Sequence, residues 1–447
     1  MTQLLFGMCV VSFFGLLWLF LVSRSENERV AARRCLVAVV LVPAFFLFLA
    51  LFPMPAWIPS LVIAVVVIFA LVLVIPTGQP GGFEDSSVTE RLDERTIMFS
   101  RAALKPGTEN FEQFYQEFPQ YRPSDDRFRR LPGLMAPGSG KFEPLSFAAA
   151  GASFETVEQL TDLVEGKPAE QIVQISPEEA TAFLKGWLKK LGVVSCGITI
   201  LKDEHLYTIK GRGPAWGQPI ERRHHFAIAF SVEMDHRQMG TAPEGPTLME
   251  SAEQYLHAGC VATQVAVFIR RLGWAAEAHI DANYKVICPL VAKDAGLGEI
   301  GRMGLLMTPE LGPRVRLGVI TTDLPLNTDE PCFDPTVLHF CSICKKCAEV
   351  CPPAAIPKAG REDIAGAKRW RLDSEACFTY WCAMGTDCGQ CMRVCPYSHP
   401  GTLLHRLVRR GLSNSRLFRH FALKMDDLLY GRRPKPMKPD SWLPKRP

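Results

Sequence analysis

The sequence predicts an α+β protein built in three parts: three N-terminal transmembrane helices, a mixed α/β core and a C-terminal cysteine-rich domain. Three observations predict it. Apolar runs crowd residues 1–78 of the 447, helix-period and strand-like segments alternate through 149–330, and two tightly spaced cysteine runs fall within 331–400. Residues 79–148 read as a linker or wrapping segment and 401–447 as a basic C-terminal tail.

The apolar runs come first. Residues 4–22 are nineteen positions without a charge, long enough to cross a hydrocarbon core of about 30 Å. Residues 36–52 form a second run, and 61–75 a third that reaches spanning length if it begins near Trp57. A cleaved signal peptide is disfavoured: the first run lacks a basic leader, is too long, and is followed by two more. Arg24, Arg29, Arg33 and Arg34 lie between the first two runs, whereas 53–60 carry no charge. The positive-inside bias then puts the first loop in the cytoplasm, the N-terminus outside and everything after Pro76 on the cytoplasmic side of the cell (inner) membrane. Arg33-Arg34 follows the first span rather than preceding it, so it is not a twin-arginine export signal.

The net charge of +4 gives no reason to expect nucleic acid as a partner. The basic residues are uneven, however, with twelve Lys and Arg against three Asp in 406–446. Such a tail can lie against an anionic membrane lipid surface. Fifteen cysteines are too many to ignore. Outside the two runs, Cys9, Cys35, Cys196, Cys260, Cys288 and Cys332 are scattered and read as buried, reduced thiols, which suits a cytoplasmic location.

Thr77-Gly-Gln-Pro-Gly-Gly82 is a turn-rich break ending the apolar part. Residues 177–191 have the spacing of an amphipathic helix, and 193–199, 226–232 and 315–320 read as strands. Residues 251–272 form a strong helix pattern, with Tyr255, Ala258, Ala262, Val265, Phe268, Ile269 and Leu272 near one face and Gly273 as its stop. Gly296-x-Gly298-x-x-Gly301 matches a dinucleotide-binding fingerprint letter for letter. That fingerprint needs a strand before it. Here 289–296 look helical, so the glycines either build a tight loop or let backbone approach a large flat partner.

The cysteine runs are Cys341-x2-Cys344-x2-Cys347-x3-Cys351-Pro352 and Cys388-x2-Cys391-x3-Cys395-Pro396. Three thiolates at two-and-two spacing can hold three corners of a [4Fe–4S] cube, and the Cys before Pro then serves the other cube. The second run lacks its first ligand, which must be Cys377 or Cys382. A zinc knuckle also uses CxxC pairs, but eight thiolates match two [4Fe–4S] clusters in a bacterial-ferredoxin-like domain better than one tetrahedral ion.

With these motifs in view, the chain resembles the cobalamin-dependent reductive dehalogenases. The matching stretches are Ala295-Gly-Leu-Gly-Glu-Ile-Gly-Arg302, Gly312-Pro-Arg-Val-Arg316, Thr321-Thr-Asp-Leu-Pro-Leu326, Phe268-Ile-Arg-Arg-Leu-Gly-Trp274 and the double cysteine run. The epoxyqueuosine reductases, a sister family, share the glycine loop and the cluster domain. The resemblance implies a nitroreductase-like core holding a base-off cobalamin (corrinoid) beside the clusters, with Gly296, Gly298, Gly301 and Gly304 allowing close approach to the macrocycle. It implies a small organohalide, aromatic ones included, as substrate, its carbon-bound halogen replaced by hydrogen. It implies Tyr255 as proton donor and Arg316 as the cation stabilising its anion, and it selects Cys377 as the remote ligand. The clusters would be Cys341, Cys344, Cys347 with Cys395, and Cys388, Cys391, Cys377 with Cys351.

Arg314, two residues from Arg316, is a second candidate cation, and His236, His257 and His279 are alternative proton relays. Tyr255 could equally be a core residue with its hydroxyl satisfied. The respiratory members carry an export signal and dock on a separate three-span anchor; here anchor and enzyme look fused. That favours a cytoplasmic-face enzyme fed by membrane quinol or a soluble reductant. Two other readings compete: a membrane electron-transfer protein without cobalamin, and a corrinoid reductase of a non-halogenated, epoxyqueuosine-like substrate.

Overall fold

The computed structural model describes the chain except Gln79, Ser86, Ser87, Ala282, Cys332 and residues 444–447. Cys332 and the last basic residues of the expected tail therefore lie outside the described residues. The chain divides into two compact units, one of Met1–Phe83, Pro335–Cys344 and His399–Met437, the other of Glu84–Asp334, Lys345–Ser398 and Lys438–Pro447.

In the first unit, helices Thr2–Ser25 and Arg29–Leu51 run alongside each other, joined by a short turn. Leu5, Phe46 and Leu49 are buried between apolar neighbours, while Val11, Phe14 and Val40 are 74 %, 63 % and 63 % exposed. Rows of apolar side chains this open suit lipid rather than water. These two helices are long and apolar enough to cross a membrane. The third, Trp57–Val74, has 18 residues and rises about 27 Å. The expectation of three full-length spans is thus corrected to two, because the third helix begins only after Pro53 and Pro55 and stops before Pro76. Its start lies near the chain's first residue, with Ser60 Oγ 3.3 Å from Met1 Sδ. Beyond its end, the Thr77 amide donates to the Asn414 carbonyl at 3.2 Å.

The stretch expected as a basic tail contains two helices, Leu403–Asn414 and Arg416–Leu429, the second capped by Ser415 Oγ accepting from the Phe418 amide at 3.2 Å. Composition alone hid the regular spacing of buried positions in this stretch.

The second unit is organised by strands β1 (Ser195–Ile200), β2 (Phe226–Glu233), β3 (Ala276–His279), β4 (Glu299–Ile300), β5 (Leu306–Met307) and β6 (Val315–Thr322). The main sheet is antiparallel in the order β1-β2-β6-β3. Three of its strands match the sequence reading to within about two residues; β3, only four residues with two alanines, gave no β-branched or aromatic signal. Helix Gly245–Arg271 packs on this sheet through Ala258, Ala262, Val265, Ala266 and Ile269, all buried. It starts earlier than the expected 251 because Gly245-Pro246 supplies a proline-type start rather than a polar cap. It ends as expected at Gly273, φ +86°, whose amide donates to the Arg270 carbonyl.

Residues 94–129 form short helices around a buried ion pair. Arg101 binds Asp125, which also accepts from the Tyr115 hydroxyl at 2.6 Å. The glycine-rich segment runs from helix Cys288–Asp294 into the β4–β5 hairpin. Gly296, φ +79°, is a helix stop: its amide donates to the Lys293 carbonyl and the Leu297 amide to Ala292. A helix, not a strand, precedes the fingerprint, so its dinucleotide reading has no structural context.

Candidate active site

Arg316 lies on β6 opposite Val232 of β2. Ser251 and Tyr255 are four apart on helix Gly245–Arg271, hence on one face. Both meet Arg316: its guanidinium carbon stands 4.5 Å from the Tyr255 ring centroid, and its Nη2 donates to Ser251 Oγ. The same nitrogen reaches Asp387 Oδ2 at 3.1 Å, and Ser251 Oγ donates to that oxygen at 2.5 Å. Arg316 and Asp387 are 13 % and 11 % exposed, so this ion pair is largely desolvated. Asp387 immediately precedes Cys388, which adopts φ +63°, a conformation costly for a residue with a side chain.

Tyr255 and Arg316 line a cavity of about 220 Å³ together with Phe99, His279, Tyr284 and Cys288. Arg316 is the strongest single influence on the Tyr255 phenol and pulls its pKa down; burial, with Asp281, Asp387 and Cys288 nearby, outweighs it and leaves the pKa above 10. The phenol is therefore protonated at neutral pH, with a cation in place for the anion left when the proton departs. Burial likewise pushes the Cys288 thiol up to about 12. The Arg316 Nε and Asp387 Oδ1 atoms are buried without a hydrogen-bond partner, open valences that a bound polar group can fill.

The alternative groups are engaged elsewhere. Arg314 donates to the Ser398 carbonyl and to Glu233, at 2.9 and 2.7 Å. His257 Nε2 is 3.0 Å from the Leu191 carbonyl, and His236 opens the separate helix His236–Gly240. His279 does line the cavity. Its Nδ1 accepts from the Lys285 amide at 3.2 Å, so Nε2 carries the hydrogen donated to Thr321 Oγ1 at 3.0 Å. Burial drops its pKa to about 3, which leaves a neutral ring with both nitrogens occupied.

The thiols gather according to element. Cys341 and Cys344 are buried on helix Pro335–Cys344 of the first unit. In the second unit Cys391 has Cys388, Cys347, Cys377 and Cys351 as its electrostatic neighbours, and burial with these thiols drives its pKa well up. Cys377 is pushed up to about 12 by burial, Cys351 and Cys388. A cluster of mutually repelling thiolates is what a positively charged iron core neutralises. Cys382 instead packs with Met98, Phe128 and Phe378 in an apolar cluster. Among the described residues no three His, Cys, Asp or Glu side chains converge as for a single ion, whereas thiolates around a cube stand further apart than around one tetrahedral zinc.

Gly298 allows the β4–β5 hairpin to close, since a Cβ there would collide with the Met307 carbonyl; one at Gly296 would come within 2.9 Å of the Glu330 carbonyl. Gly301 and Gly304 turn the hairpin, the Gly304 amide donating to the Gly301 carbonyl at 3.0 Å. A Cβ at Gly304 would meet nothing nearer than Leu372 at 3.6 Å, so its backbone can accept a close flat neighbour. Ser251 and Asp387 were missed from sequence; the signal available was an acidic residue adjoining a cluster cysteine.

A 4Fe–4S dicluster domain model matches residues 340–399. The tetrachloroethene reductive dehalogenase of Sulfurospirillum multivorans is 34% identical over 212 residues, 46% of this chain and 42% of that protein. The solved catabolic reductive dehalogenase NpRdhA superposes with a TM-score of 0.61 at 25% identity, covering 77% of this chain and 47% of its own. The chain is a relative of the reductive dehalogenases. An epoxyqueuosine reductase of a Synechococcus species is 30% identical over a shorter span of 146 residues, 29% of this chain and 44% of that protein. This chain spans less than half the length of the reductive dehalogenases it matches.

Proposed function

We propose that this chain is a membrane-anchored reductive dehalogenase that replaces a carbon-bound halogen by hydrogen, drawing electrons through two [4Fe–4S] clusters. The observation that carries the reading is the Tyr255–Arg316 pair in a cavity, tied through Asp387 to the cysteine loop. The reaction needs two electrons and one proton, and leaves a halide. Tyr255 holds that proton at its hydroxyl, and Arg316 stabilises the phenolate that remains. Asp387 and Ser251 fix the guanidinium over the ring, and the aromatic walls Phe99 and Tyr284 exclude water, which strengthens each of these interactions. A cavity of about 220 Å³ suits a small organohalide.

Cobalamin, when bound, supplies the low-valent metal chemistry at the carbon–halogen bond. Its support is kinship, the open backbone face at Gly304 and the unfilled valences of Arg316 and Asp387. Gly296 and Gly298 are already explained by self-packing and lend it none. The thiol neighbours of Cys391 favour Cys377 over Cys382 as the remote cluster ligand. The ligand sets are otherwise those implied by the spacing.

His405, on the first of the two C-terminal helices, lies 3.1 Å from Glu26 in the turn between the two spanning helices. With Arg24, Arg29, Arg33 and Arg34 beside that turn, the positive-inside bias places the enzyme on the cytoplasmic side. A periplasm-dependent reporter at the C-terminus should stay silent.

The test is anaerobic purification with added cobalamin. The reading expects about one cobalt per eight irons and halide release from a panel of organohalides, lost in Tyr255→Phe with both metals retained. Iron without cobalt and without halide release would overturn it in favour of plain electron transfer.

A further inference from the structure

We propose that Glu26, His405, His399 and Asp426 are the proton-accepting side of a site that oxidises a membrane hydroquinone, whose electrons enter the cluster served by helix Pro335–Cys344. This rests on reading the chain as a membrane-bound reductase, and names where its donor is consumed.

The four groups form a continuous row in the first unit, with Glu26, His405 and Asp426 buried and His399 12 % exposed. Glu26, in the turn between the two spanning helices, accepts from Thr402 Oγ1 at 3.2 Å and lies 3.1 Å from His405 Nε2. The His405 ring stacks on His399 with centroids 4.4 Å apart and planes 6° from parallel. His399 Nε2 stands 3.1 Å from Asp426 Oδ1, and Tyr430 covers the same ring at 4.3 Å. Packing aliphatic side chains would join these helices at lower cost than burying three titratable groups. Buried ionisable groups within membrane-spanning segments mark proton or ion pathways, and Glu26 adjoins the end of one such helix. Burial lowers the His405 pKa to about 4. Burial alone would raise that of Glu26, but its bonds to His405 and Thr402 hold it below the usual range. At neutral pH the row is a carboxylate beside a neutral imidazole.

A second observation brings a lipid-soluble carrier to this row. The two C-terminal helices are inverted relative to helices that face water. Their buried positions include His405, Arg409, Arg419 and Asp426, while Leu403, Leu407, Leu417 and Leu428 are 55 %, 54 %, 49 % and 59 % exposed. Leu403, Arg406, Leu407 and Arg410 share one exposed face, and no acidic residue is exposed on either helix. Leucine interleaved with arginine is the face of a helix lying in a membrane interface. Phe421 on the second of them meets Phe69 of the apolar third helix at 5.5 Å.

The electron acceptor shares these neighbours. Helix Pro335–Cys344 packs against both C-terminal helices, and Arg432, ion-paired with Asp427 at 3.4 Å, donates to the Cys344 carbonyl. A hydroquinone therefore meets its proton acceptors and a cluster-bearing helix in one unit. It loses two O–H protons and two electrons to become a quinone; the imidazoles of His405 and His399 take the protons, and the electrons leave singly through the cluster. With an organohalide as terminal acceptor, one proton passes to carbon, and one proton and one halide are released.

The experiment uses the full chain in nanodiscs with its clusters reduced by dithionite, reoxidised either by menadione, a small quinone that needs protons, or by ferricyanide, which does not. Glu26→Gln and His405→Gln should slow reoxidation by menadione about 100-fold, the scale of lost acid–base catalysis, with iron content and the ferricyanide rate unchanged. Unchanged menadione rates, or equal slowing with both oxidants, would overturn the proposal. A photoreactive azidoquinone gives a second readout on the unsubstituted protein. Labelling within residues 399–409, displaced by menadione, supports the site, and labelling elsewhere or none refutes it. Neither measurement involves an organohalide, so failure here is distinguishable from failure of the dehalogenase reading.

Discussion

Replacing Arg316 by Gln removes the cation over Tyr255 and asks how much of the reaction depends on it. The guanidinium carbon is 4.5 Å from the ring centroid. At an effective dielectric of about 20, a unit charge at that distance contributes about 4 kcal/mol, or between two and three pKa units, roughly. The phenol already lies above 10 in spite of Arg316; without it the proton is held tighter still. If half of that difference is felt in the transition state the rate falls about twentyfold, and if all of it is felt about 500-fold. Asp387, left with Ser251 as its hydrogen-bond donor, takes up a proton rather than remain a buried unpaired charge. The assay is the initial rate of halide release with saturating reduced methyl viologen, with iron and corrinoid content measured on the same samples. Tyr255→Phe and the double variant complete a cycle. Because Arg316 acts through Tyr255, the double variant should be no slower than Tyr255→Phe within about a factor of two. Full activity in Arg316→Gln, or losses that multiply in the double variant, would refute the reasoning.

Cys377→Ser should lower the iron content by about one four-iron cluster, whereas Cys382→Ser, in its apolar pocket, should retain both; analytical iron and electron paramagnetic resonance decide. Gly298→Ala forces a methyl group onto the Met307 carbonyl and should cost about 1–3 kcal/mol, read as a lower midpoint of thermal inactivation. Glu250 is 2 % exposed, and burial raises its pKa to about 7. Its folded pKa exceeds the unfolded one, so its ionisation opposes folding progressively from about pH 4.5 to 7, and that penalty is fully present above. Glu250→Gln keeps an acceptor for the Asp235 amide. It should therefore raise thermal stability at pH 8 by up to about 3 kcal/mol and change little at pH 5; equal effects at both would contradict the assignment.

Much of the fold and some of the site are legible in the chain. The spacing of Cys341, Cys344 and Cys347 is a local property, since a loop of that length presents three thiols whatever surrounds it. The helix bearing Tyr255 announces itself through its apolar period and Gly273, and the apolar runs through length alone. Sequence overestimated the third run, because hydropathy does not measure where a helix stops ahead of Pro76. It also read the dinucleotide fingerprint in letters that turn out to be a helix stop and a hairpin.

What only the tertiary structure decided is which faces meet. Cys377 and Cys382 are five residues apart on helix Ser374–Met384, about 140° around its axis, so they cannot share a direction, and packing alone turns one towards Cys351 and Cys388. Ser251, Arg316 and Asp387 come from a helix, a strand and a cysteine loop, and no local pattern joins them. The C-terminal stretch shows the limit most clearly. Composition determined that it is basic, but which of its residues turn inward depends on Glu26, 379 positions away from His405. Sequence fixes contacts within a turn of chain; burial across hundreds of residues is settled only when the elements pack.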